Sequence, residues 1–262
     1  MDADKIKQQF ANYLPNWGFI CAVIVYRLIN PMKETILLYP SDGCWVGNNL
    51  TTGKKRYYPY KRAAVQIISQ NQKNILNKYT HHGIVEVEHG DTVLDIGAFV
   101  GEFSLEIHEI ADKVYCCEPS PRSVHCIQKN TQEMTNITTI STLISDHDEF
   151  RTLKLGEDPT DNSILDIDEG GTVGEVTIYS MTVNRLMKEL DVNQIDFLKI
   201  DAEGAEPEVI KEIGNSNINK LSIDCGAERF GETTVDEVLQ LLDEYGYETY
   251  VEKDHVFAKK DI

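Results

Sequence analysis

The chain has 262 residues, 41% of them hydrophobic, and its 43 acidic against 25 basic side chains give a net charge of −18. That apolar content supports a core the size of one large α/β domain with an extension, or of two small units. The charge argues against a nucleic-acid partner, which needs a basic footprint; Lys54-Lys55-Arg56 reads as a solvated loop.

Residues 1–80 read as an accessory region, either a substrate cap or a homodimer contact. Ile6, Phe10 and Leu14 recur at spacing four, one face of a helix over Lys5–Leu14. Trp17–Tyr26 is an apolar run about half as long as the ~20 residues of a membrane crossing, so it reads as a buried helix and no stable membrane insertion is expected. A signal-peptide pattern is not evident, and a cytoplasmic location is expected. Thr35–Tyr39 and Cys44–Val46 read as extended pieces about the turn at Ser41-Asp42-Gly43. Lys61–Asn77 reads as a helix carrying Ala64, Ile67, Ile68 and Leu76. The six cysteines, Cys21, Cys44, Cys116, Cys117, Cys126 and Cys225, form no C-x-x-C pair and read as reduced core residues.

After Gly90-Asp91, strand and helix signals alternate, which predicts a mostly parallel sheet. The strands are Val93–Ile96, Val114–Cys117, Ile137–Ile144, Phe197–Ile200 and Leu221–Ile223. Arg151–Leu155 and Glu175–Ser180 read as a hairpin flanking the acidic stretch Glu157–Gly174. Val183–Leu190 and Val235–Tyr245 read as helices. Glu248–Glu252 and Val256–Lys259 form a terminal hairpin, which sets one antiparallel strand in the sheet.

Val93-Leu-Asp-Ile-Gly-Ala-Phe-Val-Gly101 reads as a buried strand, a glycine turn and the start of a helix over Glu102–Ile110. Gly97 and Gly101 permit the turn and a close ligand, and the helix points its first amides at whatever lies there. Glu118 ends the next strand, 21 residues beyond Gly97, where an acid can hold the two hydroxyls of a ribose. A dinucleotide site has glycine where this chain has Phe99, so a pyrophosphate is disfavoured. Asp95, just before the turn, would repel phosphate and receive an ammonium. A ribose with an amino-acid end is S-adenosylmethionine. Asp95, Gly97, Ala98, Phe99, Gly101 and Glu118 are its candidate contacts, with Ser145 and Asp146 placed for the adenine amino group.

Asp95-Ile-Gly-Ala-Phe-Val-Gly101, Glu118-Pro-Ser-Pro121 with Asn130, Asn162-Ser163 and Lys199-Ile-Asp-Ala-Glu-Gly-Ala-Glu206 follow one another over about residues 80–215. In that order they resemble the successive motifs of the FkbM-type S-adenosylmethionine-dependent methyltransferases. The chain departs from the family at Phe99, where the family usually has Asn, and at Asp224-Cys-Gly-Ala-Glu-Arg229. The resemblance implies a class I methyltransferase domain over residues 81–262: a Rossmann-like α/β fold with a mostly parallel seven-stranded sheet and an antiparallel terminal strand. It also implies methyl transfer to a hydroxyl of a sugar, glycolipid or other small metabolite.

In open α/β sheets ligands sit outside the carboxyl ends of the strands. There the sequence places Lys199, Asp201 and Glu203. Lys199 and Asp201 share a face, and a buried lysine needs a partner, for which Asp201 is the expected one. A hydroxyl is a poor nucleophile, so Asp201 or Glu203 is the expected base, with Lys199 tuning it. The rival mechanism sets Mg²⁺ on Asp201 and Asp224 at neighbouring strand ends. Further alternatives are a nicotinamide-dependent oxidoreductase, which Phe99 and the Lys199 cluster oppose, and a non-catalytic S-adenosylmethionine-binding protein. A nucleic-acid methyltransferase would carry Asp/Asn-Pro-Pro-aromatic where this chain has Asp201-Ala202-Glu203.

Overall fold

The structure is a computed structural model that describes residues 36–70, 75–156 and 172–260. The helices expected over Lys5–Leu14 and Trp17–Tyr26 lie outside the described residues, as do Asn162-Ser163 and most of Glu157–Gly174.

The described chain opens with β1 (Ile36–Ser41), β2 (Cys44–Asn49) and β3 (Lys55–Tyr58), an antiparallel three-stranded sheet, followed by α1 (Lys61–Gln70). Of the helix expected over Lys61–Asn77 the described residues carry α1 and a second helix, α2 (Ile75–Tyr79). Leu38, Cys44, Tyr58 and Ala64 from this region share a core with Val100 and Cys126. Asn130 secures the join, since its amide donates to the Tyr57 and Val100 carbonyls while its oxygen accepts from the Tyr57 amide.

The central sheet is built from β4 (Thr92–Ile96), β5 (Lys113–Cys117), β6 (Ile137–Ile140), β10 (Ile195–Ile200), β11 (Ile218–Asp224), β12 (Glu248–Glu252) and β13 (His255–Lys259). Their order across the sheet is β6-β5-β4-β10-β11-β13-β12. β13 runs against both its neighbours, β11 and β12; β4, β5, β6, β10 and β11 pair in parallel. The inner strands are apolar on both faces because helices cover both. Leu94, Ile96, Leu198, Ile200, Leu221 and Ile223 pack on one side. Val93, Val114, Phe197 and Phe257 pack on the other, against Phe103 and Ile107 of α3 (Glu102–Ile107).

The apolar run Ile137–Ile144 does not form a single strand. It leaves the central sheet at Ile140, and β7 (Leu143–Ile144) joins a separate sheet with β8 (Glu149–Gly156) and β9 (Thr172–Met181), in the order β7-β9-β8. Thr142 makes the switch, donating its hydroxyl to the Tyr179 carbonyl at 3.0 Å. Hydrophobicity alone cannot show which sheet a strand joins. The helices α4 (Pro121–Asn130), α5 (Val183–Glu189), α6 (Glu206–Ile210) and α7 (Val235–Glu244) complete the fold. Among the described residues no helix is long and apolar enough to cross a membrane.

Candidate active site

The glycine turn is a backbone structure. Gly97 has φ +71°, and its amide and that of Ala98 donate to the Cys117 carbonyl at 3.0 and 3.2 Å. A Cβ on Gly97 would stand 1.8 Å from the carbonyl oxygen of Asp201, so the ends of β4 and β10 touch where only glycine fits. Phe99 also holds a left-handed φ, +50°, costly for a bulky residue. Its amide donates to Glu118 Oε2 at 2.9 Å, while Ser120 donates to Oε1 at 2.8 Å. Glu118 is buried, and burial pushes its carboxyl up to about 7 against those two bonds.

Lys199 has a different partner from the one expected. Its ammonium lies 3.1 Å from Asp95 Oδ1, and both side chains are buried. It also donates to the carbonyls of Ile96 and Gly97, at 3.2 and 2.8 Å. Asp95 Oδ2 accepts the Ser104 hydroxyl at 2.7 Å. The ammonium that Asp95 receives is thus Lys199's, inside the protein. Lys199 and Asp95 are register partners on adjacent strands, a proximity that the spacing within one strand could not reveal.

Asp201 pairs instead with α2. Lys78 Nζ lies 3.4 Å from Asp201 Oδ2 and 2.6 Å from Asp224 Oδ2, and the Tyr79 hydroxyl donates to Asp201 Oδ2. Burial opposes ionisation of Asp201, but the ammonium groups of Lys78 and Lys199 and the Tyr79 hydroxyl hold its carboxyl below the usual range. The two ammonium groups stand 4.7 and 5.0 Å from the centroid of the buried Tyr79 ring. Next to this group His255 bonds Ser222 Oγ at 2.9 Å, and burial brings its imidazole down to about 4, so it is neutral near pH 7. Lys78, Tyr79 and His255 were not anticipated as site residues. Lys78 and Tyr79 reach Asp201 across 123 and 122 residues, and no local pattern marks them.

Glu203 sits on the same loop with a left-handed φ of +51°. The loop is clamped by Glu206, whose Oε1 accepts from the amides of Ala202 and Gly204 and whose Oε2 accepts from Thr234. Arg229 grips Glu208 with two bonds, 3.0 and 2.8 Å, fixing the loop after β11 beside it. Ser145 and Asp146 lie just beyond β7, bound by Arg151 at 2.8 and 2.6 Å. Partial burial would raise the Asp146 carboxyl, but bonds from His147, Arg151 and Ser145 bring it down to about 2.

The sheet order, the reversed strand β13 and the turn at the end of β4 define a class I methyltransferase fold. The model of the Methyltransferase FkbM domain matches residues 95–249, and the chain belongs to that family. Its cofactor is S-adenosylmethionine. No curated protein matches the sequence. Among solved structures the chain is similar to a methyltransferase FkbM from Methylobacillus flagellatus, with 13% identity, a TM-score of 0.48, and 76% of this chain and 53% of that chain covered. It thus spans about half the length of that protein. It is also similar to the precorrin-6y C5,15-methyltransferase of Geobacter metallireducens, with 13% identity, a TM-score of 0.45, and 73% and 88% covered. A third is the fibrillarin of Aeropyrum pernix, solved with natively bound S-adenosyl-L-methionine, with 14% identity, a TM-score of 0.42, and 86% and 100% covered.

Proposed function

We propose that the chain methylates a hydroxyl oxygen of a sugar, a glycolipid or another small hydroxylated metabolite. The observation that carries this reading is the ionised Asp201 at the end of β10, whose own backbone touches the glycine turn at Gly97. A carboxylate held there is positioned to take the proton of an acceptor hydroxyl.

The residues fit the cofactor. Glu118 uses one lone pair of each oxygen on Phe99 and Ser120 and keeps others for the two ribose hydroxyls. Gly97, Ala98, Phe99 and Gly101 line the turn, and the missing Cβ at Gly97 lets backbone and ligand approach. Asp95 shapes the methionine end from beneath, through Lys199 and its bonds to the Ile96 and Gly97 carbonyls. Ser145 and Asp146 are assigned to the adenine end, oriented by Arg151. When bound, S-adenosylmethionine supplies an electrophilic methyl group. Asp95, Asp201 and Asp224 set three carboxylates against the ammonium groups of Lys78 and Lys199, leaving one negative charge to face a sulfonium. Glu203, on the loop after Asp201, faces the acceptor and orients it. Residues 1–80 form the acceptor cap or a homodimer contact, and residues 81–262 the transferase domain.

The test is a methyl-transfer screen against sugars, glycolipids and small hydroxylated metabolites, with Asp201→Asn as the control. Turnover should fall ~10²–10⁴-fold in the variant, the range of a lost general base, while S-adenosylhomocysteine affinity stays put. Near-normal turnover by Asp201→Asn would leave Asp201 a structural partner of Lys78. Binding without turnover on any acceptor would support a non-catalytic S-adenosylmethionine-binding protein.

A further inference from the structure

The two carboxylates that would make a divalent metal site at the strand ends already share a cation. Asp201 and Asp224 lie at the ends of the adjacent parallel strands β10 and β11, and both bind the ammonium of Lys78, at 3.4 and 2.6 Å. Lys78 comes from α2, ahead of the glycine turn, so an element outside the matched region 95–249 delivers it. Its side chain is 44% exposed, whereas Asp201 and Asp224 are 19% and 17% exposed. The ammonium therefore caps the carboxylate pair from the open side. An ammonium carries three N–H donors, and two are taken by the two acids. Among the described residues the third meets no hydrogen-bond acceptor, only the Tyr79 ring, whose centroid is 4.7 Å from the ammonium.

We propose that Lys78 is the resident cation of the acceptor site, standing on Asp201 and Asp224 where metal-assisted O-methyl transfer sets a divalent ion. This deepens the hydroxyl-methylation reading and rests on it. The third N–H of Lys78 holds the acceptor oxygen and steadies the negative charge that grows on it, as a fixed donor does for a developing oxyanion. The acceptor's proton passes to the Asp201 carboxylate. The acceptor oxygen forms its bond to the methyl carbon as the sulfur–carbon bond breaks, and that bond's electron pair stays on sulfur. The alcohol becomes a methyl ether, the sulfonium a thioether, and the proton leaves through Asp201 to solvent. No metal is needed, because a cation already stands on the two carboxylates. The Tyr79 hydroxyl on Asp201 Oδ2 keeps that carboxylate turned toward Lys78, which makes Tyr79 a positioning residue.

The test starts with metal binding, which needs no acceptor. Mn²⁺ is titrated, with detection by electron paramagnetic resonance, into the wild-type chain, Lys78→Met, Lys78→Arg and the double variant Lys78→Met/Asp224→Asn. Lys78→Met should bind Mn²⁺ on the vacated carboxylates, while the wild type, Lys78→Arg and the double variant should not. Equal binding by the wild type and Lys78→Met, at any strength including none, overturns the proposal. With an acceptor from the screen, Lys78→Met should lower kcat by ~10²–10³-fold, the effect of removing one oxyanion donor, and Lys78→Arg should recover part of it. S-adenosylhomocysteine affinity should be unchanged in both. A rise in KM alone, or wild-type turnover that stops on adding a chelator, also overturns it. Should no hydroxyl acceptor be turned over by the wild type, the parent reading fails, and the Mn²⁺ result still decides whether Lys78 occupies a cation site.

Discussion

The two ends of the ligand crevice are made of different material. At the ends of β4 and β5 the site is backbone: a left-handed glycine turn, amides pointing at Glu118, carbonyls gripping a buried ammonium. At the ends of β10 and β11 it is a side-chain network of Asp201, Asp224, Lys78, Tyr79 and His255, drawn from four separate elements. A backbone site is written in one short stretch of sequence, because glycine and a following helix define it locally. A side-chain network depends on which strands become neighbours. The comparison teaches that the glycine-turn end is built into the backbone of the fold itself, whereas the end at β10 and β11 depends on side chains brought together from separate elements.

The largest effect should come where the two ends touch. Gly97→Ala places a Cβ 1.8 Å from a backbone oxygen that cannot move without shifting β10, so a loss above ~4 kcal/mol, or failure to fold, is expected. Gly101→Ala is the control. Its φ is +80°, but a Cβ there meets only side-chain carbons of Ile127 and Thr131, the nearest at 3.5 Å. That change should cost only the left-handed backbone strain, ~1–2 kcal/mol. Urea unfolding of the two variants measures the difference, and equal losses would show that contact between the two ends is not what requires glycine at position 97.

Lys199→Met comes next. It leaves Asp95 as a buried charge with the Ser104 hydroxyl for company, and breaking a buried pair from one side costs ~3–5 kcal/mol. Asp95→Asn/Lys199→Met removes both charges and should regain most of that loss. A double variant no more stable than Lys199→Met would mean that Lys199 acts through its bonds to the Ile96 and Gly97 carbonyls instead. A smaller effect is expected at the ribose position, where Glu118→Ala should weaken S-adenosylhomocysteine binding by ~1–3 kcal/mol in calorimetry. An unchanged affinity would move the ribose elsewhere.

The mostly parallel sheet with its reversed terminal strand follows from the alternation of apolar runs and helices, and the glycine turn follows from Asp95 through Gly101. The acceptor end could be read only in half. Lys199-Ile-Asp-Ala-Glu-Gly-Ala-Glu206 marks the place, but the spacing of Lys199 and Asp201 on one face suggested a pair that the sheet does not make. Parallel pairing puts Lys199 opposite Asp95, and α2 brings Lys78 to Asp201 from more than a hundred residues away. Likewise Ile137–Ile144 is uniformly strand-forming yet divides between two sheets, because Thr142 bonds Tyr179 rather than continuing β6.

The smallest expected effect is the opposite response of Glu118 and Asp201 to pH. Glu118 is raised by burial from 4.5 to about 7, so between those values the folded chain binds more protons than the unfolded chain. Stability must therefore fall as pH rises from about 4.5 to 7, and the buried carboxyls of Glu102 and Glu206, also raised to about 7, act with the same sign. Asp201 is lowered, so it contributes stability that is present above its unfolded value and is lost only as pH falls through a folded value beneath the usual carboxylate range. Glu118 thus weighs against high pH and Asp201 against low pH, while Glu206, on the loop after β10, acts with Glu118. Urea unfolding of the cofactor-free chain should lose on the order of 1–3 kcal/mol between pH 5 and 8. Glu118→Gln should flatten part of that slope, and Asp201→Asn should leave it intact while weakening the dependence below pH 4. Ribose hydroxyls donating to Glu118 favour its ionised form, so saturating S-adenosylhomocysteine should shift the falling limb to lower pH. A slope unchanged by Glu118→Gln would show that Glu118 does not carry the fall and would erase its contrast with Asp201, and a limb unmoved by the ligand would place the ribose away from Glu118.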